Sequence, residues 1–139
     1  MDWVLDASMA LAWALPGEGA LRAEEFLIGL TAEDVLWVPP LWWYEVSNAL
    51  VVAERRGRIT EAVRSEIMGL YGKLPLRTDS SFGSDLALRL QSLAQRYGLS
   101  GYDAAYLELA LRIGAGLATL DRTLLQAAKR AGVKTPMDR

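Results

Sequence analysis

The chain has neither histidine nor cysteine among its 139 residues. Their absence excludes a Ser-His-Asp or Cys-His nucleophile, a histidine acid–base pair and an ordinary structural or catalytic zinc site. Disulfides go with them, so stability must come from a packed core, which a chain of this length can build. Long hydrophobic runs are missing too: nothing approaches the roughly 18 uninterrupted apolar residues of a membrane span. Positive charge is scarce, with 15 Lys and Arg against 17 Asp and Glu and a formal net charge of −2. Contact with a polyanion would therefore need local basic patches and bound metal. The opening Met1-Asp2-Trp3-Val4-Leu5-Asp6 lacks the basic start and long apolar centre of a signal peptide, so a cytoplasmic protein is expected.

The residues present, 52% hydrophobic and 23% charged, are those of a globular protein. One domain over 1–139 is expected, with no repeat or linker. Short runs rich in β-formers at 2–6, 35–38, 116–120 and 133–135 read as strands, with a weaker candidate at 74–76 that Pro75 interrupts. Between them lie helical patterns at 8–15, 20–30, 40–56, 60–72, 84–97, 102–113 and 122–131. Helices 40–56 and 60–72 follow each other through Gly57-Arg58-Ile59-Thr60 as a hairpin. Pro39-Pro40 fits a helix start, and Gly98, Gly114 and Gly132 fit helix stops. Strands alternating with helices imply an α/β fold with a parallel sheet covered on both faces.

What chemistry remains is that of carboxylates. Asp6 and Asp121 each close a short apolar run, while Glu45 and Asp103 lie in helical patterns. In open parallel sheets ligands bind beyond the carboxyl ends of the strands. If the first and fourth strands are neighbours, Asp6 and Asp121 end side by side, and the helix starts at Pro40 and Gly101 can bring Glu45 and Asp103 over them. Individually, three of the four have plainer readings: Asp6 and Asp121 as helix caps, and Asp103 within the capping pattern Ser100-Gly101-Tyr102-Asp103. Glu45 is different, being the only charged residue from 41 to 53 in a helix apolar nearly all round. It needs a cation, a hydrogen-bonding network, a wet cleft, or an arginine such as Arg112 or Arg22.

Taken together, the four cannot all stay ionised bare. Two carboxylates about 5 Å apart repel by roughly 3 kcal/mol at an effective dielectric near 20, so such a cluster binds protons or cations. Their hard oxygens suit Mg²⁺ or Mn²⁺. Ser8, Asn48 and Thr119 are candidates to orient a carboxylate or a metal-bound water, against the plainer readings of local capping and helix packing. Asn48 falls about one turn after Glu45, and Thr119 shares a strand side with Asp121.

Four segments in this order carry a family resemblance: Val4-Leu5-Asp6-Ala7-Ser8, Glu45-Val46-Ser47-Asn48-Ala49-Leu50, Leu99-Ser100-Gly101-Tyr102-Asp103-Ala104-Ala105-Tyr106 and Leu117-Ala118-Thr119-Leu120-Asp121. Over essentially its full length the chain resembles the PIN-domain ribonucleases, particularly the VapC-type toxins of toxin–antitoxin pairs. The resemblance implies a PIN-like domain with a roughly five-stranded parallel sheet sandwiched by about seven helices. It further implies that Asp6, Glu45, Asp103 and Asp121 bind Mg²⁺ or Mn²⁺, that a metal-activated water cleaves RNA endonucleolytically, and that the family hydroxyl beside the last acid is Thr119. The implied partners are the RNA substrate, a second copy in a homodimer, and a cognate VapB-like antitoxin covering the cleft.

The aromatic cluster Trp42-Trp43-Tyr44 departs from the family. Adjacent helical residues cannot all face one core, so at least one should point outward and is assigned to a dimer or antitoxin contact. Trp13 and Trp37 are further candidates for stacking or anchoring, with core packing equally open. Arg55, Arg56 and Arg58, and Lys129 with Arg130, read as solvated helix ends. Two rival functions remain: a Mg²⁺-dependent acidic-pocket binding or signalling module, and a non-catalytic PIN-like interaction protein. A receiver-type module usually wants a lysine near the strand ends, and the three lysines here are Lys73, Lys129 and Lys134.

Overall fold

Trp3, Val4 and Leu5 are consecutive and all buried, the burial of a strand covered on both faces. They belong to β1 (Asp2–Leu5), an interior strand of the sheet. The computed structural model describes residues 1–15, 17 and 19–136. Among these, β2 (Val35–Val38), β3 (Leu76–Thr78) and β4 (Gly116–Ala118) complete a four-stranded sheet in the order β3-β2-β1-β4. Every neighbouring pair is parallel, with Trp3 opposite both Leu36 and Gly116. The chain thus steps outward from β1 to β3 and returns to the other side of β1 for β4. That reversal makes a switch point between β1 and β4, where the carboxyl ends of two strands open to ligands.

The connections are α1 (Ala7–Ala14), α2 (Ala20–Ile28), α3 (Pro40–Arg55), α4 (Glu61–Tyr71), α5 (Ser84–Tyr97) and α6 (Gly101–Ile113), with α7 (Arg122–Arg130) after β4. Their limits follow local chemistry. Asp6, Thr60, Ser100 and Asp121 each accept a backbone N–H at the head of a helix, and Pro40 occupies the first turn of α3. Gly98 and Gly114, at φ 67° and 68°, close α5 and α6 in the left-handed region. The core joins β1, β4 and the apolar faces of α3, α6 and α7, with Trp42 set edge-on to Tyr71 at 5.4 Å. Among the described residues no helix is long and apolar enough to cross a membrane.

One glycine is required by close approach. A Cβ on Gly116 would stand 2.5 Å from Cζ3 of Trp3, so the indole lies directly over bare backbone on the neighbouring strand.

Three strand expectations change. The fifth strand expected at 133–135 does not form among the described residues, although the segment lies along β4, where Leu117 N–H donates to the Lys134 carbonyl at 2.9 Å. The 74–76 candidate moves to Leu76–Thr78, past Pro75, whose missing N–H cannot join a ladder. The run 116–120 stops at Ala118, leaving Thr119 and Asp121 in the loop beyond the strand rather than on one strand face.

Candidate active site

Asp6 is the first residue past β1 and remains paired to β4, its N–H donating to the Ala118 carbonyl at 3.1 Å. Its side chain turns in to cap α1, accepting the Met9 N–H at 3.0 Å. The hydroxyl of Ser8 donates to the same carboxylate at 2.8 Å, and that of Thr119 donates to its other oxygen. Both hydroxyls are aimed from behind. Ser8 Oγ accepts the Leu120 N–H, and Thr119 Oγ1 accepts the Asp121 N–H, each at 3.0 Å. Each therefore spends its one proton on Asp6, and loop 119–121 is knitted onto the end of β1.

Only 5% of Asp6 is exposed, and burial lifts its carboxyl from the usual value to about 6. The three hydrogen bonds pull it down, and repulsion from Asp121 adds to the rise. Asp121 caps α7 through the Leu124 N–H at 2.8 Å but is itself exposed. Asp103 sits in the first turn of α6, its N–H held by Ser100 Oγ at 3.0 Å. Its carboxyl is raised by burial and then by Asp121, so Asp121 acts on both neighbours.

Glu45 is half-buried, and its partner is neither Arg112 nor Arg22. The hydroxyl of Tyr106, on α6, donates to Glu45 Oε1. Tyr106 is 2% exposed, and burial first, then its hydrogen bond to and the charge of Glu45, then the charge of Asp6, drive its hydroxyl well above its ordinary pKa. The tyrosine is therefore bonded to one of the acids and within electrostatic reach of a second. Tyr106 closes one of the four family-like segments without a role assigned to it there, although its position three residues after Asp103, on the same helix face, was a usable signal. Arg112 instead binds Asp79 at 2.8 Å and Glu108 at 2.9 Å.

Asn48 is exposed and, among the described residues, makes no hydrogen bond to the acids. Buried Trp42, half-buried Trp43, which donates to Thr78 Oγ1 at 2.9 Å, and Tyr44, 75% exposed, divide the cluster as adjacency requires. Tyr44 is the member that points outward. Trp13 donates to the Ala23 carbonyl at 2.6 Å and Trp37 to Asp2 at 3.3 Å, so both indoles are engaged in packing.

Among the described residues no ion pair involves Asp6, Glu45, Asp103 or Asp121. No three acids there stand close enough to hold one ion as the side chains lie. The donor set still fits a hard divalent cation: it is all oxygen, unpaired with arginine or lysine among the described residues, and both Asp6 and Asp103 are raised by burial first and by repulsion from Asp121 in addition. A cleft of about 330 Å³ beside the loop is lined by Ser8, Arg58, Leu120 and Asp121.

Residues 3–130 match the family model described as PIN domain. The chain is 34% identical to Ribonuclease VapC3 of Pyrobaculum aerophilum over 140 residues, covering 98% of this chain and 100% of the relative. It superposes on the crystal structure of PAE2754 from Pyrobaculum aerophilum with a TM-score of 0.71 and 26% identity, covering 99% of this chain and 85% of the other. Mycobacterium tuberculosis VapC20, described as a sarcin-ricin loop cleaving toxin, shares the fold at a TM-score of 0.67 and 15% identity, over 90% and 94% of the two chains.

Proposed function

Because the chain belongs to the PIN-domain family, we propose that it is a metal-dependent endoribonuclease, the toxin of a type II toxin–antitoxin module. The observation that carries this reading is Asp6, a buried carboxylate at the switch point, held by two hydroxyls and raised to about 6, with no arginine or lysine paired to it among the described residues. Asp6, Glu45, Asp103 and Asp121 are the residues that would hold Mg²⁺ or Mn²⁺. When bound, such an ion polarises the phosphodiester and lowers the pKa of an attacking water. Ser8 and Thr119 fix the orientation of the Asp6 carboxylate. Tyr106 keeps one Glu45 oxygen occupied and leaves the other for the site. Burial of Asp6 and Tyr106 excludes bulk water behind the acids, so their charges act through a low local dielectric.

The whole of 1–139 is read as one PIN domain working in the cytoplasm. Its partners are RNA, a second copy, and a VapB-like antitoxin that covers the acids. A second reading, a PIN fold kept for interaction without turnover, draws on the absence of a three-carboxylate grouping among the described residues. Cleavage of a mixed structured RNA pool in Mg²⁺ or Mn²⁺ separates the two. Discrete cutting, stopped by EDTA and by Asp6→Asn, is the expected result. RNA left intact by a wild-type protein that binds both Mn²⁺ and antitoxin would favour the second reading.

A further inference from the structure

A polyanion brought to four unpaired carboxylates is repelled unless cations lie nearby, and the chain as a whole is acidic. Most arginines of the fold are already engaged. Arg64 pairs with Glu54, Arg89 and Arg112 with Glu108, Arg77 lies over Trp37, and Arg96 and Arg130 lie over Tyr97. Two that are not, among the described residues, are Arg22 and Arg122. Both line a cleft of about 530 Å³ that shares Leu120 with the cleft beside Asp121, together with Met9, Thr119, Leu125 and Pro136.

This cleft is joined to the acids by shared residues. Thr119 lines it and also donates to Asp6, while Arg122 follows Asp121 in the chain. Its other wall is fixed by an unusual contact. Gly19 heads α2 at φ 90°, and a Cβ there would lie 2.9 Å from Leu120 Cδ1. The bare glycine lets α2 start directly against the active-site loop, and Arg22, three residues on, comes to the same cleft. Arg122 opens α7, so its guanidinium works beside the positive end of a helix.

Resting on the ribonuclease reading, we propose that Arg22 and Arg122 form a phosphate subsite that grips the RNA backbone next to the scissile position. The guanidinium forks take phosphate oxygens, Leu120 is shared between this cleft and the one beside Asp121, and the sequence of the RNA is not read here. The two arginines offset the repulsion of the acids and set the register of the strand.

Binding is measured separately from cutting, so that the two readings fail separately. A fluorescent single-stranded RNA is titrated, in Mg²⁺, against Asp6→Asn protein carrying in addition Arg22→Ala, Arg122→Ala, both, or Arg55→Ala with Arg56→Ala as a control on the exposed end of α3. Each cleft substitution should weaken binding about tenfold and flatten the dependence of log affinity on log salt by about 0.7, the share of one single-strand phosphate. The α3 control should leave both unchanged, and in the cutting enzyme the double cleft variant should raise KM at near-constant kcat. Binding and salt slope unaltered in the double cleft variant would overturn the subsite even if wild type cuts RNA. So would equal losses in the α3 control, or a loss confined to antitoxin binding. Failure of wild type to cut any RNA would count against the ribonuclease reading alone, because the binding titration still decides the subsite.

Discussion

The fold contains two groups of acids in contact with different surroundings. At the edge of α6, Glu108 is 4% exposed and Asp79 is largely covered, yet Arg112 bridges both and Arg89 reaches Glu108 at 3.5 Å. Arg112 holds the Asp79 carboxyl below its ordinary range, and the two carboxylates hold the guanidinium protonated more firmly than usual. At the carboxyl ends of β1 and β4 the balance is reversed. Asp6 is just as buried but has no arginine or lysine paired with it among the described residues, so burial, with added repulsion from Asp121, raises its pKa despite the hydrogen bonds from Thr119, Met9 and Ser8. Buried acids in the first group serve to join β3 to α6. Those in the second are held in a state that a cation would relieve, which is what a site requires and a structural pair does not.

The contrast breaks most sharply on activity. Asp6→Asn keeps the size and one acceptor oxygen but turns the other oxygen into an amide donor and removes the charge, and should lower RNA cleavage at least a hundredfold, about 3 kcal/mol or more of transition-state stabilisation, while the circular dichroism spectrum stays unchanged. Arg112→Ala should do the converse. It strands buried Glu108 with one longer contact, so urea denaturation should show a loss of about 3 kcal/mol while the specific activity of the folded fraction is preserved.

Of nearly equal size is the pH dependence carried by Asp6. Its folded value of about 6 lies above the 3.8 of a free aspartate, so the folded state binds the proton more tightly. The stabilisation is therefore complete below the unfolded pKa and lost as pH rises through about 6, a span worth roughly 3 kcal/mol. Asp79, shifted downward, acts with the opposite sign. The difference in unfolding free energy between wild type and Asp6→Asn should consequently slope between pH 4 and 6.5 and flatten above. Added Mn²⁺ should reverse the wild-type loss near neutral pH. A smaller effect is expected from Tyr106→Phe, which frees Glu45 without emptying the core. Mn²⁺ affinity, read by calorimetry, should weaken about tenfold, in the range for partners that orient a metal ligand.

Much of this was visible before the fold was known, and the reasons are local. Asp6, Ser100 and Asp121 cap the helices whose starts they announce, so α1, α6 and α7 lie within a residue of their sequence limits. The four acids stood out because a chain without histidine and cysteine leaves metal chemistry to carboxylates, and these four lie at the ends of apolar runs or in helical patterns that can converge there. What escaped depends on contacts between distant segments. Tyr106 meets Glu45 across 61 positions, and Arg112 was a candidate partner for Glu45 until the turn after β3 delivered Asp79 to it. Pro75 displaced β3 by two residues, because the ladder begins where the N–H groups resume. The aromatic run divided as helical geometry demands, with Trp42 inside and Tyr44 outside.

The most direct test is a calorimetric titration of Mn²⁺ into wild type, Asp6→Asn and Arg112→Ala at pH 7. A saturable site in wild type, weakened about a hundredfold by Asp6→Asn and unmoved in the folded Arg112→Ala protein, is the predicted result. Saturable binding that survives Asp6→Asn, or none in wild type, would contradict the assignment of the unpaired acids as the metal centre.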